Sequence, residues 1–154
     1  MSVEIVMVEP EIPQNTGNVI RTCAAVGVRL HLVKPLGFSM DDRYLKRAGL
    51  DYFEYSDIKY HESLEEFLYY AKDKLMYLLS TKGEKSCFEV DLTKDCFLLF
   101  GKETQGLPKW LVEEKKEFCA RIPMKPGIRS LNLSNSVAIT LFEALRQSGF
   151  VGLC

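Results

Sequence analysis

Several things are scarce in this sequence, and each scarcity narrows what the chain does. Positive charge is not in excess: Lys+Arg 20 against Asp+Glu 21 leaves a formal net charge of −1. No global field therefore draws nucleic acid, and any such partner is held by a local basic patch. Histidine is limited to His31, expected inside a strand, and His61, expected in a polar loop; neither is near a Cys or acid at metal-ligand spacing, which argues against a zinc site. The five cysteines (Cys23, Cys87, Cys96, Cys119 and Cys154) are odd in number and scattered, with no CxxC pair. They read as small core hydrophobes and a tail thiol in a reducing cytoplasm. The longest pure apolar runs, Leu75–Leu79 and Cys96–Phe100, are far too short to span a bilayer. The N-terminal MSVEIVMVEP has no basic n-region and is interrupted by Glu4, so no secretory leader is expected and the expected compartment is the cytoplasm.

Nucleotide signatures are missing too. Gly101-Lys102-Glu103-Thr104-Gln105-Gly106 has the glycine spacing of a P-loop, but Leu107-Pro108 follows where Lys and Ser/Thr are required. No GxGxxG follows the first strand, which excludes a dinucleotide fingerprint. Internal repeats, low-complexity stretches and linkers are absent. What is present is 154 residues, 47% hydrophobic and 27% charged, the composition of a globular protein with a single domain over residues 1–154.

Short apolar runs alternate with amphipathic stretches, which predicts an α/β fold with a mostly parallel sheet flanked by helices. Strands are expected at Val3–Val8, Arg29–Val33, Leu75–Leu79, Cys96–Phe100 and Phe118–Ile122. The two continuous apolar runs carry the mark of central strands covered on both faces. The loop EIPQNTGN opens a helix of about ten residues ending near Gly27, with Val19, Cys23 and Val26 as its core stripe. Asp41-Asp42 precede a basic turn at Arg43–Ala48. Ser63 caps a helix running through Asp73, with Glu66 as the capping-box partner. Pro108–Lys116 forms a short helix, and Ser134–Gln147 forms the last, stopped by Gly149. That last helix is apolar over most of its girth: Val137, Leu141, Ala144 and Leu145 make one stripe, and Ala138, Ile139 and Phe142 cover neighbouring angles. Its second buried side meets either a partner subunit or the rest of one core.

Three polar loops, each where a strand run ends and a helix begins, remain as candidates for function. Ligands bind α/β proteins outside the carboxyl ends of parallel strands. For a single loop the alternative is capping, with Asn15, Thr16, Asn132 and Ser134 as N-caps. Three such loops, one followed by Arg21 and another carrying Arg129, favour a site.

The residues of these loops resemble a known family. Asn15-Thr16-Gly17-Asn18, with Arg21 and Gly27, resembles the first motif of the SPOUT-class RNA 2′-O-ribose methyltransferases. Gly101, Glu103, Gly106 and Leu107 resemble the second. Ile122-Pro123-Met124 followed by Ser130-Leu131-Asn132-Leu133-Ser134-Asn135 resembles the third. The likeness continues through EPEIPQNTGN, LGFSMDDRYLKRAGLDY and RIPMKPGIRSLNLSN. It covers essentially the whole chain and is nearest to the members that act at the wobble position of tRNA. The resemblance implies a SPOUT-like domain whose C-terminal part is a deep trefoil knot, an exception to unknotted topology. It further implies a homodimer without a separate RNA-binding domain, with the tRNA anticodon stem-loop as partner and no membrane association.

The implied reaction transfers a methyl group from S-adenosylmethionine to the ribose 2′-hydroxyl of nucleotide 34, leaving S-adenosylhomocysteine. Positioning is its main requirement. The resemblance marks Leu79, Gly101, Ile122 and Ser130 as cofactor contacts and Arg21 as catalytic. A guanidinium is always protonated in proteins, so Arg21 is expected to stabilise the developing alkoxide and bind a phosphate rather than to remove the proton. Glu103 orients either Arg21 or the third loop, and Asn132 is either a cap or a substrate contact. Arg43, Lys46 and Arg47 fall on one helical face, and Lys125 and Arg129 flank the third loop. These are the expected phosphate contacts. Two other readings stay open: ribose methylation of ribosomal RNA, and a catalytically silent RNA-binding module. Since no metal ligand set is found, S-adenosylmethionine is expected to bind with the same affinity in the presence and absence of a chelator. Titration calorimetry checks this, and a chelator-sensitive affinity overturns it.

Overall fold

The computed structural model describes residues 2–154. Seven strands form one sheet: β1 (Val3–Val8), β2 (Leu30–Val33), β3 (Ile58–His61), β4 (Leu75–Leu79), β5 (Lys85–Ser86), β6 (Cys96–Phe100) and β7 (Cys119–Arg121). Their order is β3-β2-β1-β6-β4-β7-β5, and every paired neighbour is parallel. Five helices flank the sheet: α1 (Pro13–Val26), α2 (Arg43–Gly49), α3 (Leu64–Tyr70), α4 (Lys109–Glu114) and α5 (Leu133–Gln147).

The period of two divides each central strand between two cores. On one face Ile5 and Met7 of β1 and Cys96, Leu98 and Phe100 of β6 pack with Val19, Ile20 and Cys23 of α1 and Val137, Leu141 and Ala144 of α5. On the other, Val6, Val8, Phe97 and Leu99 pack with Phe67 of α3 and Leu111 of α4. All five β6 residues are buried, which is why that run reads as unbroken apolar sequence. α1 also crosses α2 closely. A Cβ on Gly17 would lie 2.5 Å from the Leu45 carbonyl oxygen and 2.6 Å from Ala48 Cβ, so the motif glycine is a contact between helix backbones.

The structure departs from the expected elements where apolar signal is thin. β3 and β5 carry the sequences IKYH and KS, too polar to announce a strand. His61 therefore sits in β3 and is buried, not in a loop. Helix α1 begins at Pro13 and takes in the residues expected as a loop, reaching 14 residues. Neither Asn15 nor Thr16 caps it: Ile12 is the N-cap residue and its side chain makes no cap bond. Ser63 does cap α3, its hydroxyl accepting the Glu66 amide at 3.1 Å, but the helix stops at Tyr70. The short helix expected at Pro108–Lys116 is α4, which ends at Glu114, and a 3-10 turn, Lys116–Phe118, follows it.

Strand register brings three ionisable groups together under the sheet. His31 Nδ1 lies 2.9 Å from His61 Nε2, and His31 Nε2 lies 2.6 Å from Glu4 Oε2. With both rings neutral, His31 donates from Nε2 to Glu4 and accepts at Nδ1 from His61. Phe67 and Phe97 pack edge-on against His31. Burial holds both imidazoles below their ordinary value, against the pull of Glu4 on His31 and of Glu66 on His61, with Lys59 disfavouring charge on each. The unfolded chain binds more protons than the folded one once the pH drops below about 6.5. The melting temperature is therefore expected to be flat from pH 8 to 7 and to fall between pH ~6.5 and ~5, with a shallower fall in His61→Gln. Thermal unfolding followed by circular dichroism checks this, and a melting temperature constant down to pH ~5 overturns it.

Candidate active site

The carboxyl ends of the middle strands open into one cavity of about 780 Å3, within the usual range for a small-molecule site. Its walls are the segments that follow β4, β6 and β7 and the start of α1. Leu79, Gly101, Ile122 and Ser130 all line it. Leu79 ends β4, in register with Phe100 of β6 and Ala120 of β7, so the sheet itself sets the cavity floor.

Gly101 is required by the turn that follows β6. A Cβ there would fall 1.9 Å from the Gly106 carbonyl carbon and 2.1 Å from the Leu107 nitrogen. The turn closes on itself, with the Gly106 amide donating to the Lys102 carbonyl at 2.8 Å. This tight return leaves backbone groups rather than side chains along one wall.

Side chains stitch the three loops together. Glu103 accepts the backbone amides of Glu11 and Ile12 at 2.9 and 2.5 Å, capping the entry to α1 from across the cavity. Glu11 returns the exchange by accepting the Thr104 amide at 3.1 Å and the Thr104 hydroxyl at 2.7 Å. Those bonds, the hydroxyl's first, hold the Glu11 carboxyl below its ordinary value. Asn15 donates to Glu103 at 3.4 Å and accepts from Asn132 at 3.0 Å. Asn132 is the N-cap of α5, its oxygen accepting the Asn135 amide at 3.2 Å and the Ser134 hydroxyl at 2.6 Å. Of the two alternatives for Glu103, the bonds run to the first loop and, through Asn15, to the third; none goes to Arg21. Glu11 as the reciprocal partner has no signature in the sequence, because the pair is separated by about ninety positions.

Arg21 does not line the cavity of its own chain. It is exposed on α1, with its guanidinium carbon 4.9 Å from the centroid of the Tyr52 ring. Arg43 and Arg47 border a separate small hollow together with Tyr44, and Lys125 and Arg129 are exposed between β7 and α5. Thiol chemistry has no support here. Burial pushes Cys23 and Cys96 up to about 12 and Cys87 up to about 11, and no cysteine lines the cavity. No group of three or more His, Cys, Asp or Glu among the described residues is arranged to hold a metal.

Comparison with known proteins accords with this geometry. The chain is 49% identical over 150 residues to the tRNA (cytidine(34)-2′-O)-methyltransferase of Methylovorus glucosotrophus, covering 97% of each chain. A solved structure concerned with 2-OH methylation of C/U34 on tRNA superposes with a TM-score of 0.91 at 41% identity, covering 97% of both chains. The AdoMet-bound rRNA methyltransferase of Sinorhizobium meliloti superposes with a TM-score of 0.85 at 28% identity, covering 94% of this chain and 56% of that one. The model of the SpoU rRNA Methylase family matches residues 2–142. With that match spanning nearly the whole chain, and with the family's three motifs gathered around one cavity, the protein belongs to the SpoU methylase family.

Proposed function

We propose that this chain transfers a methyl group from S-adenosylmethionine to the ribose 2′-hydroxyl of nucleotide 34 of tRNA, working as a homodimer in the cytoplasm. The observation that carries this reading is the 49% identity, along 97% of both chains, to an enzyme of that name. The 28% identity to an rRNA enzyme, of which this chain covers 56%, makes the ribosomal alternative the weaker one. Mapping ribose methyl groups on bulk tRNA and rRNA after incubation with the protein tests it. A methyl at position 34 is expected; a methyl on rRNA alone, or none, overturns it.

The cavity fits the cofactor by the chemistry of its walls. Leu79, Leu107, Ile122 and Met124 present apolar surface, and the Gly101–Leu107 backbone presents donors and acceptors. That combination suits an adenosine, with apolar faces and a polar edge. When bound, S-adenosylmethionine supplies an electrophilic methyl on a sulfonium centre. The protein is left with positioning the ribose and stabilising the charge that develops on its oxygen. Arg21 takes the second task as a fixed cation. Arg43, Arg47, Lys125 and Arg129 hold phosphates, supplying locally what the net charge of −1 does not.

Two features support the homodimer. Ile139 and Phe142 on α5 are 37% and 45% exposed beside the buried stripe of that helix, an unpaired apolar face of the kind subunit contacts cover. Arg21 lies outside its own cavity, so a second copy is the natural source of the cation. The trefoil knot belongs to the same proposal. Its support is the path after β7, which crosses back past β4 and β6 to lay α5 against β1 and α1.

Arg21→Ala is expected to keep cofactor affinity while losing at least a hundredfold in methyl transfer, about 3 kcal/mol of transition-state stabilisation. Calorimetry and a methyl-transfer assay check this, and near-normal turnover overturns it. If Arg21 serves the partner's cavity, Arg21→Ala mixed with the cavity-blocking Ser130→Trp recovers about a quarter of wild-type activity from two inactive proteins. No recovery after verified subunit exchange places Arg21 in its own chain's site. Ile139→Glu is expected to abolish dimer and activity together. Sedimentation and turnover measure both, and a fully active monomer ends the homodimer reading.

A further inference from the structure

Two arginines in this structure are held by carboxylates. Arg29 is paired with Asp57 at 2.8 Å, and Arg146 makes two bonds to Glu143 at 2.8 and 2.9 Å. In those pairs the positive charge is neutralised and guanidinium N–H groups are occupied. Arg21 differs. Among the described residues its guanidinium has no carboxylate partner and no hydrogen bond; what it has is the ring of Tyr52, 4.9 Å from the guanidinium carbon. Tyr52 comes from the 3-10 segment Leu50–Tyr55, which packs along α1. Its ring is half-buried, and its hydroxyl has no hydrogen-bond partner among the described residues. The ring is therefore fixed by packing while the cation it faces is exposed.

We propose that Tyr52 is a positioning residue for the reaction, holding the Arg21 guanidinium by its ring face so that the charge and all five N–H donors stay available to the RNA. This rests on the reading of Arg21 given above. The physical advantage is specific. A carboxylate partner would fix the arginine equally well but would have to be displaced, or would cancel the charge, just as the ribose oxygen becomes negative. An aromatic quadrupole attracts the cation without consuming a donor. It also limits the rotamers of a long, exposed side chain, which reduces the ordering cost of reaching the transition state. Arg43 offers a contrast: it also lies over a tyrosine, Tyr44, at 4.8 Å, but there it spends a donor on the phenol oxygen at 2.8 Å.

The test separates ring-face electrostatics from packing. Tyr52 is replaced by Phe, and then by phenylalanines carrying one, two, three and five ring fluorines, which weaken the quadrupole at nearly constant shape. Turnover, KM for the RNA, cofactor affinity by calorimetry and the melting temperature are measured for each. Tyr52→Phe is expected to match wild type. Across the fluorinated series kcat is expected to fall steadily, by about 2- to 30-fold in total, with cofactor affinity and melting temperature unchanged. Tyr52→Leu is expected to match the pentafluoro protein in kcat. A kcat independent of fluorination overturns the proposal, as does a Tyr52→Phe protein as slow as Tyr52→Leu, which would assign the role to the hydroxyl. Failure of the underlying reading looks different: Arg21→Ala would then turn over normally, whatever the Tyr52 series does.

Discussion

The site depends on a reciprocal exchange between two carboxylates that belong to different loops. Glu103 accepts the amides at the entry to α1, and Glu11 accepts the amide and hydroxyl of Thr104. Each segment thus satisfies the backbone donors of the other. Those amides lie just before the first turn of α1, and their acceptor comes from a loop on the far side of the cavity. Asn15 extends the link to Asn132 and so to the start of α5. Three walls are in this way one hydrogen-bonded unit.

That unit stands on a parallel sheet whose middle strands have no freedom of register. Because β1 and β6 are buried on both faces, a slip of one residue would exchange their two cores. The strand ends are consequently fixed relative to one another, and the loops that leave them inherit the precision. Two close approaches complete the arrangement: Gly17 lets α1 meet α2, and Gly101 lets the turn after β6 fold back on its own backbone. Both motif glycines act here through the space they leave empty.

Much of this was legible in the residues, and the failures have physical causes. The bounds of β4 and β6 follow from continuous apolar sequence and those of β1 from an apolar run broken only by Glu4; β6, buried at every position, shows why such a run marks a central strand. β3 and β5 lie at the two edges, where alternation with solvent leaves little to read, and His61 was misplaced for that reason. Asn15 and Thr16 have the composition of caps. Asn15 instead donates to Glu103, which only tertiary structure brings near, and Thr16 ends fully buried with a hydroxyl that finds no partner among the described residues. Among the residues that line the cavity, Gly101, Ile122 and Ser130 stand in the motifs, and Leu79 is the end of a continuous apolar run. Tyr52 was not legible, since nothing in local sequence connects it to Arg21.

The spacing of the linked residues along the chain has one more consequence. Glu11, Glu103 and Asn132 are contributed by the beginning, middle and end of the chain, and β1 cannot be flanked until β6 exists. No fragment that lacks the last quarter of the sequence contains the finished cavity. The cavity is thus a property of the assembled domain and of no single segment. A ligand seated there draws on the stability of the whole domain.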